Sequence, residues 1–311
     1  MKVVFFGTSV FAVPMLEGII NSKHSVLAVV TQPDRKKGRL LNIAVPAVKE
    51  VALSKSLKVL QPEELDDAFT SELSKLSSDI FVVIAYGHIL KKHVLKIPKR
   101  YSINVHASLL PKYRGAAPIN WAVMNGESKT GVSIIRINER MDEGDVLSHI
   151  ETKIKKDDTS STLSERLSKL GKELLIKTLD LIEEGKEKFE KQDSEKATYA
   201  RKLTKQSGLI DWNKGALEIH NKVRGVVPWP GAYTFFDGKK INIWQTSVLE
   251  GEGKPGEIIE ADGKNLIIGT GKGLLEVKEI QAEGKKRMGV EDFLRGYRTL
   301  KKGQIFKTKA S

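Results

Sequence analysis

Through the first half of the chain, short apolar runs alternate with amphipathic segments. KVVFF, HSVLAVVT, LKVL and IFVVIAYG are β-branched or aromatic runs of strand length. Between them, residues 9–21, a stretch near 46–55 and another near 62–76 place apolar residues at helical spacing. YSINVHAS and GVSIIRI supply two further strands. This alternation predicts βαβ units, hence an α/β class with a doubly wound, mainly parallel sheet. In such a sheet the ligand crevice lies beyond the carboxyl ends of the strands.

The pattern changes after residue 159. Residues 159–185 carry Leu and Ile at helical spacing, with Thr159, Ser160 or Ser161 to cap the start and Gly185 to stop the helix. The polar stretch KEKFEKQDSEKATYARKLTKQSG follows and reads as a surface linker. Beyond an amphipathic segment at 214–224 come AYTFF, KKINIWQTSVL, GEIIE, NLIIGT and GLLEVKEIQ, separated by Gly-containing turns. Short strands at such intervals predict a small antiparallel β-barrel. The expected division is therefore a first domain over 1–189, a linker over 190–206 and a barrel domain over 207–311.

Composition narrows the picture. The apolar runs fall far short of the roughly 20 residues of a membrane span, and MKVVFFGTS reads directly as a strand rather than as a signal peptide. With no cysteine, disulfides, thiolate metal sites and a cysteine nucleophile are excluded, which suits a reducing cytoplasm. The 52 basic against 39 acidic residues leave a formal charge of +13, which favours a polyanionic partner but equally fits a solvated basic surface. No long apolar surface segment calls for a partner copy, so a monomer is expected.

NVHASLLPKYRGAAPINWA, residues 104–122, carries the candidate chemistry. Asn104 and His106 are two apart in an extended segment and so project from one face, about 6.5 Å apart along the strand. An amide N–H and an imidazole N–H both donate hydrogen bonds, which suits a developing oxyanion better than a metal. The pair also fits an ordinary polar strand end. RMDEGDV places Asp142 in a glycine-containing loop after GVSIIRI, able to orient the imidazole or relay a proton. Asp142, Glu143 and Asp145 read equally as solvated loop acids.

Weaker signals surround these. GTSVFAVP holds a single glycine, Gly7, where a dinucleotide fingerprint needs more. PDRKKGRL sets Arg35, Lys36, Lys37 and Arg39 in one loop, either a solvated charge run or a phosphate-contacting one. AYGHIL ends the fourth strand and offers main-chain donors and acceptors to a flat heterocycle. His24, His93, His149 and His220 lack partners at metal-ligand spacing and read as structural, and Trp229 between prolines reads as a packed corner.

Taken in order along the chain, NVHASLLPKYRGAAPINWA, RMDEGDV, AYGHIL, YARKLTKQSGLIDW and VRGVVPWPGAY resemble the folate-dependent formyltransferases, most closely the branch acting on methionyl-tRNA. The resemblance implies a Rossmann-like formyltransferase domain followed by an OB-like barrel that binds tRNA. It sets Asn104, His106 and Asp142 on the catalytic trio. Ser108, Leu109, Leu110 and Pro111 fall on the folate-contact turn, and Gly87, Ile89 and Leu90 on the backbone beside the pterin. Arg35, Lys36, Lys37 and Arg39 fall on a loop near the acceptor end of the tRNA. That loop is short here, and Gln206 stands where the family pattern leads one to expect a glutamate.

The implied reaction moves the formyl group of 10-formyltetrahydrofolate, a co-substrate, onto the α-amine of methionyl-initiator tRNA for translation initiation, with no metal. Three other readings compete: a sugar-nucleotide formyltransferase, a 10-formyltetrahydrofolate hydrolase, and an RNA-binding module with an inactive enzyme domain. The intact Asn104, His106 and Asp142 argue against the last. The basic barrel argues against a sugar acceptor.

Overall fold

The computed structural model describes residues 1–37, 42–297 and 299–309, in two compact units. The first comprises residues 1–115, 129–152 and 164–199, and the second residues 116–128, 153–163 and 200–311.

Seven strands form the sheet of the first unit: β1 (Lys2–Gly7), β2 (Ser25–Val30), β5 (Val59–Leu60), β6 (Ile80–Ile84), β7 (Ser102–His106), β9 (Lys129–Arg136) and β10 (Val146–Lys153). A small hairpin of β3 (Arg35–Lys37) and β4 (Asn42–Ala44) and the short β8 (Arg114–Gly115) and β11 (Tyr199–Ala200) complete the strands up to residue 200. The sheet order is β10-β9-β7-β6-β1-β2-β5. β1, β2, β5, β6 and β7 run parallel, and β9 is antiparallel to β7.

Central parallel strands are covered on both faces, which explains why they read as unbroken apolar runs. All five residues of β6 are buried, as are five of the six in β1. Val4 and Phe6 pack with Phe81, Val83, Phe69 and Leu73, the last two from α3 (Asp67–Lys75). On the α6 (Ser160–Glu183) side, an added Cβ at Gly171 would meet Met15 of α1 (Val13–Ile20) at 2.7 Å and Val105 of β7 at 3.6 Å. Helix, sheet and helix are thus layered. α2 (Ala47–Ser54) and the single turn α4 (Lys92–Leu95) complete the helices of this unit. The helix expected near 62–76 starts only at Asp67, because the Asp66 carboxylate accepts the Phe69 amide at 2.8 Å and caps it there.

The second unit is an antiparallel sheet of β12 (Ala232–Phe236), β13 (Lys239–Leu249), β16 (Leu274–Ala282), β15 (Leu266–Gly269) and β14 (Ile258–Ala261), with β17 (Met288–Gly289) beside β16. Its edges do not stay open. Phe235 of β12 bridges Lys307, and Glu257 before β14 bridges Ile305, so the 305–307 segment closes the sheet into a small barrel. Buried residues such as Ile241, Ile243, Val277 and Ile280 fill it, and Phe293 of α8 (Val290–Gly296) packs against that core.

Two stretches that interrupt the first unit in sequence, 116–128 and 153–163, belong to this second unit. α5 (Pro118–Met124) packs on α7 (Ala216–Gly225): Asn120 Nδ2 donates to Gly225 O at 2.7 Å, and a Cβ at Gly225 would sit 2.4 Å from Met124 Cγ. Arg224 donates to Asp158 O at 2.6 Å from the same helix. A chain cut near Leu203 would therefore leave α5 without the helix it packs on.

His220 of α7 makes unit 2 acid-sensitive. Its Nδ1 lies 3.0 Å from Thr246 Oγ1, and burial, with Arg224 nearby, lowers its pKa below the ordinary 6.5. Well above 6.5 neither state is charged. Below it the unfolded chain takes up a proton that the folded chain resists, so stability falls as pH drops from 6.5 toward the depressed value. Urea unfolding between pH 7.5 and 5.5 should show this loss in the wild type, and a smaller one in His220→Gln.

Candidate active site

β7 ends the parallel series, and its last turn of pleat presents Asn104 and His106 on one face. The neighbouring register fixes their height: Asn104 pairs with Val83 of β6 and Ile135 of β9, and His106 with Ser133 of β9. His106 is buried.

Asp142 reaches both. Asn104 Nδ2 donates to Asp142 Oδ1 at 3.3 Å, and His106 Nδ1 faces Asp142 Oδ2 at 3.6 Å. The same Oδ2 accepts the Gly115 amide at 2.8 Å. On its far side His106 Nε2 lies 2.8 Å from Tyr113 O. A carbonyl only accepts, so Nε2 carries a proton and the Nδ1 edge is turned to the carboxylate. Asn104, His106 and Asp142 thus form one polar cluster, in which the carboxylate accepts from Asn104 and faces the Nδ1 edge of His106.

Delivering that carboxylate is not simple. β9 is antiparallel to β7, so its last residue, Arg136, pairs with Ile103 near the beginning of β7. The chain must then turn back over the face. Asp142 takes φ +54° in doing so, and the Arg136 amide donates to Asp145 O at 2.9 Å. Gly144 sits where any Cβ would fall 1.6 Å from Arg136 O. Tyr113 (φ +61°) and Ala85 (φ +46°) are also left-handed non-glycine residues in the loops at this end of the sheet, the kind of backbone strain that concentrates at working sites.

The other sequence candidates occupy distinct places. Ser108 is fully buried and donates to Lys112 O at 2.6 Å, while its carbonyl accepts from Ser133 Oγ at 2.8 Å. Its hydroxyl therefore closes the turn that carries Leu109, Leu110 and Pro111. Leu110 N is held by Ser133 Oγ at 3.1 Å, and Leu109 approaches Gly131. After β6, Gly87 has φ +93° and open space where a Cβ would be, with Gln32 Cγ 3.9 Å away. Ile89 is 71 % exposed, whereas the Leu90 side chain belongs to the core and contributes only backbone to any crevice. Arg35 is solvent-exposed and 3.9 Å from Glu63. Lys36 and Lys37 lie on β3, and Arg39 lies outside the described residues.

Among the described residues one group has metal-ligand proximity: His24, Asp180 and Glu183. The Lys23 ammonium already stands 3.0 Å from Asp180 and 3.1 Å from Glu183, and burial lowers the His24 pKa. It is a structural ion-pair cluster away from the trio.

Comparison with known proteins shows the family. Residues 1–179 match the formyl transferase family and residues 202–298 its C-terminal domain. The chain belongs to the formyl transferase family. It is accordingly a formyl-transferring enzyme. A methionyl-tRNA formyltransferase of Caldanaerobacter subterraneus subsp. tengcongensis is 46% identical over 99% of this chain and 100% of its own length. One from Thermodesulfovibrio yellowstonii is 48% identical over 94% of this chain and 95% of its own. The fold of this formyl transferase is shared by a sugar 3N-formyl transferase, WlaRD, solved in the presence of dTDP and 5-N-formyl-THF: TM-score 0.68, 20% identity, 92% of this chain and 99% of the other.

Sequence reasoning missed Arg114 and Gln192, and it read Glu143 only as a loop acid, whereas it pairs with Arg114 at 3.0 Å. Arg114 is 2% exposed and ties Glu143 to Gln192 beneath the Asp142 loop. The only signal in the sequence was an arginine inside an otherwise small and apolar stretch, YRGAAP.

Gly144→Ala should force the Asp142 loop away from β7. Steady-state turnover per folded molecule, with folded fraction from circular dichroism, should fall by about a hundredfold, the scale expected for an ångström-sized misplacement.

Proposed function

We propose that this formyl transferase uses 10-formyltetrahydrofolate to formylate the α-amine of methionyl-initiator tRNA, acting as a cytoplasmic monomer in translation initiation. The observation that carries the chemistry is the Asp142 carboxylate lying within reach of both the Asn104 amide and the His106 imidazole. The choice of acceptor is supported by full-length similarity to the two methionyl-tRNA formyltransferases. In this reading the first domain, expected over 1–189, carries the chemistry and the barrel, expected over 207–311, carries the tRNA; of the linker expected over 190–206, residues 190–199 pack with the first unit.

The amine nitrogen attacks the formyl carbon, and the carbonyl pair moves to oxygen. Asn104 has a second amide proton to give that oxygen. For His106 the Nε2 proton is already committed to Tyr113 O, so the proton it offers the oxyanion is one on Nδ1, the edge facing Asp142. Asp142 stabilises that charged imidazole. When the tetrahedral adduct collapses, the bond to N10 breaks with its pair on N10, and Asp142 passes the proton from the attacking amine to it. The exposed backbone at Gly87 and Ile89 and the 108–111 turn suit the flat pterin of the donor. Arg35, Lys36, Lys37 and Arg39 suit the acceptor-stem phosphates.

His106→Ala and Asn104→Ala should each lower single-turnover formyl transfer by about 10²–10³-fold, the usual loss for one oxyanion donor, with folate affinity little changed. Asp142→Asn should behave alike. Near wild-type turnover in any of the three would sink the trio. Labelled 10-formyltetrahydrofolate offered with methionyl-tRNA, an amino-sugar nucleotide or no acceptor tests the substrate: label is expected on the tRNA, and transfer to sugar or water alone would overturn the reading.

Replacing Arg35, Lys36, Lys37 and Arg39 together by alanine should weaken tRNA binding and flatten the plot of log affinity against log salt, by up to about 0.9 per lost phosphate contact. An unchanged slope would assign all four to solvent.

A further inference from the structure

Residues 187–192 form part of the polar stretch expected to be a linker, yet side chains and backbone bind them to unit 1. The Tyr101 hydroxyl donates to Glu187 at 2.8 Å, and the Arg136 guanidinium lies 5.2 Å from the Tyr101 ring and 5.7 Å from Phe189. Glu190 and Val146 exchange backbone hydrogen bonds of 2.8 and 2.9 Å. Gln192 then turns onto the Asp142 loop itself. Its amide nitrogen donates to Asp142 O and to Gly144 O, both at 2.8 Å, so both amide protons are spent on that loop. Its amide oxygen accepts from Arg114 Nε at 3.1 Å and Nη2 at 2.9 Å, while Arg114 Nη1 meets Glu143 at 3.0 Å. Buried Arg114 thus fixes which way round the amide sits, and its chain neighbour Gly115 holds the Asp142 carboxylate.

We propose that Gln192, clamped by Arg114, is a positioning residue for Asp142: its two N–H bonds hold the left-handed Asp142 turn so that the carboxylate addresses Asn104 and His106 together. The energetic logic is local. A residue at φ +54° persists only where its surroundings over-determine it, and the carbonyls of Asp142 and Gly144 flank that turn. Methionine at 192 keeps the side chain's length while removing both donors. Glutamate keeps an acceptor for Arg114 but turns carboxylate oxygens against two carbonyls.

The proposal rests on the formyl-transfer reading for its kinetic consequence, so its test includes a readout that needs no substrate. In Gln192→Met, amide exchange followed by NMR should show Gly115 exchanging about tenfold faster, while the amides of β1 and β6 keep their wild-type rates. Turnover should fall by about a hundredfold with KM for both substrates within twofold, and Gln192→Glu should match it. In an Asp142→Asn background the same Gln192→Met change should cost nothing more, because the carboxylate it positions is gone. Unchanged Gly115 exchange, or exchange rising equally throughout the sheet, would overturn the proposal, as would losses that multiply in the double variant. Should the wild type fail to formylate methionyl-tRNA, the substrate reading falls while the exchange data still decide the positioning role.

Discussion

One carboxylate organises the candidate active site of the first unit. Asp142 Oδ2 accepts the Gly115 amide and faces His106, and Oδ1 accepts from Asn104. Each contact draws a different stretch of chain to the same point: the end of β7, the turn after it, and the loop after β9. Antiparallel β9 leaves the sheet at the wrong end for this task, so the loop must double back. Gly144, the left-handed Asp142 and the donors of Gln192 are the physical means by which it does. Remove the carboxylate and these devices have nothing to hold.

Rigid and strained parts divide the work. The parallel strands β1, β6 and β7 are buried on both faces and bring their carboxyl ends to one edge, as a doubly wound sheet must. Ala85 after β6 and Tyr113 after β7 are strained, and Tyr113 presents the carbonyl that holds His106. A carbonyl partner on Nε2 leaves the imidazole one free edge, and that edge faces the carboxylate. The direction in which His106 can give a proton is therefore set in part by a backbone group seven residues away.

Legibility in the sequence followed the range of the forces involved. β1 and β6 were readable because burial on both faces writes itself as a local apolar run, and β7 because SINVH alternates polar and apolar residues. Asn104 and His106 were readable as a pair because the period of a strand is two. β10 was not anticipated, since VLSHIETK at the sheet edge has no residue fully buried and its alternation is weak. The basic loop at 35–39 begins as a strand of a hairpin, paired Arg35 to Ala44, which no apolar pattern announced. Asn120 meeting Gly225 and Gln192 meeting Asp142 join positions far apart in sequence. Polar contacts of that kind leave no period behind, and a glutamine within KEKFEKQDSEK looks like any solvated residue.

The proposed folate edge extends this point. Gly87 has no side chain, Ile89 points outward, and Leu90 is rooted in the core, so what this stretch can offer a heterocycle is main-chain N–H and C=O. Backbone groups are common to every residue, and their direction depends on φ and ψ rather than on residue type. Gly87 at φ +93° is the position where residue type does matter, because an L side chain there would be strained even though the space is open. Recognition built in this way tolerates substitution at 89 so long as the buried anchor at 90 and the glycine at 87 keep the backbone in place. On that proposal, affinity for the donor at this edge would be a property of how β6 ends, and the residues that control it would include ones that never face the ligand.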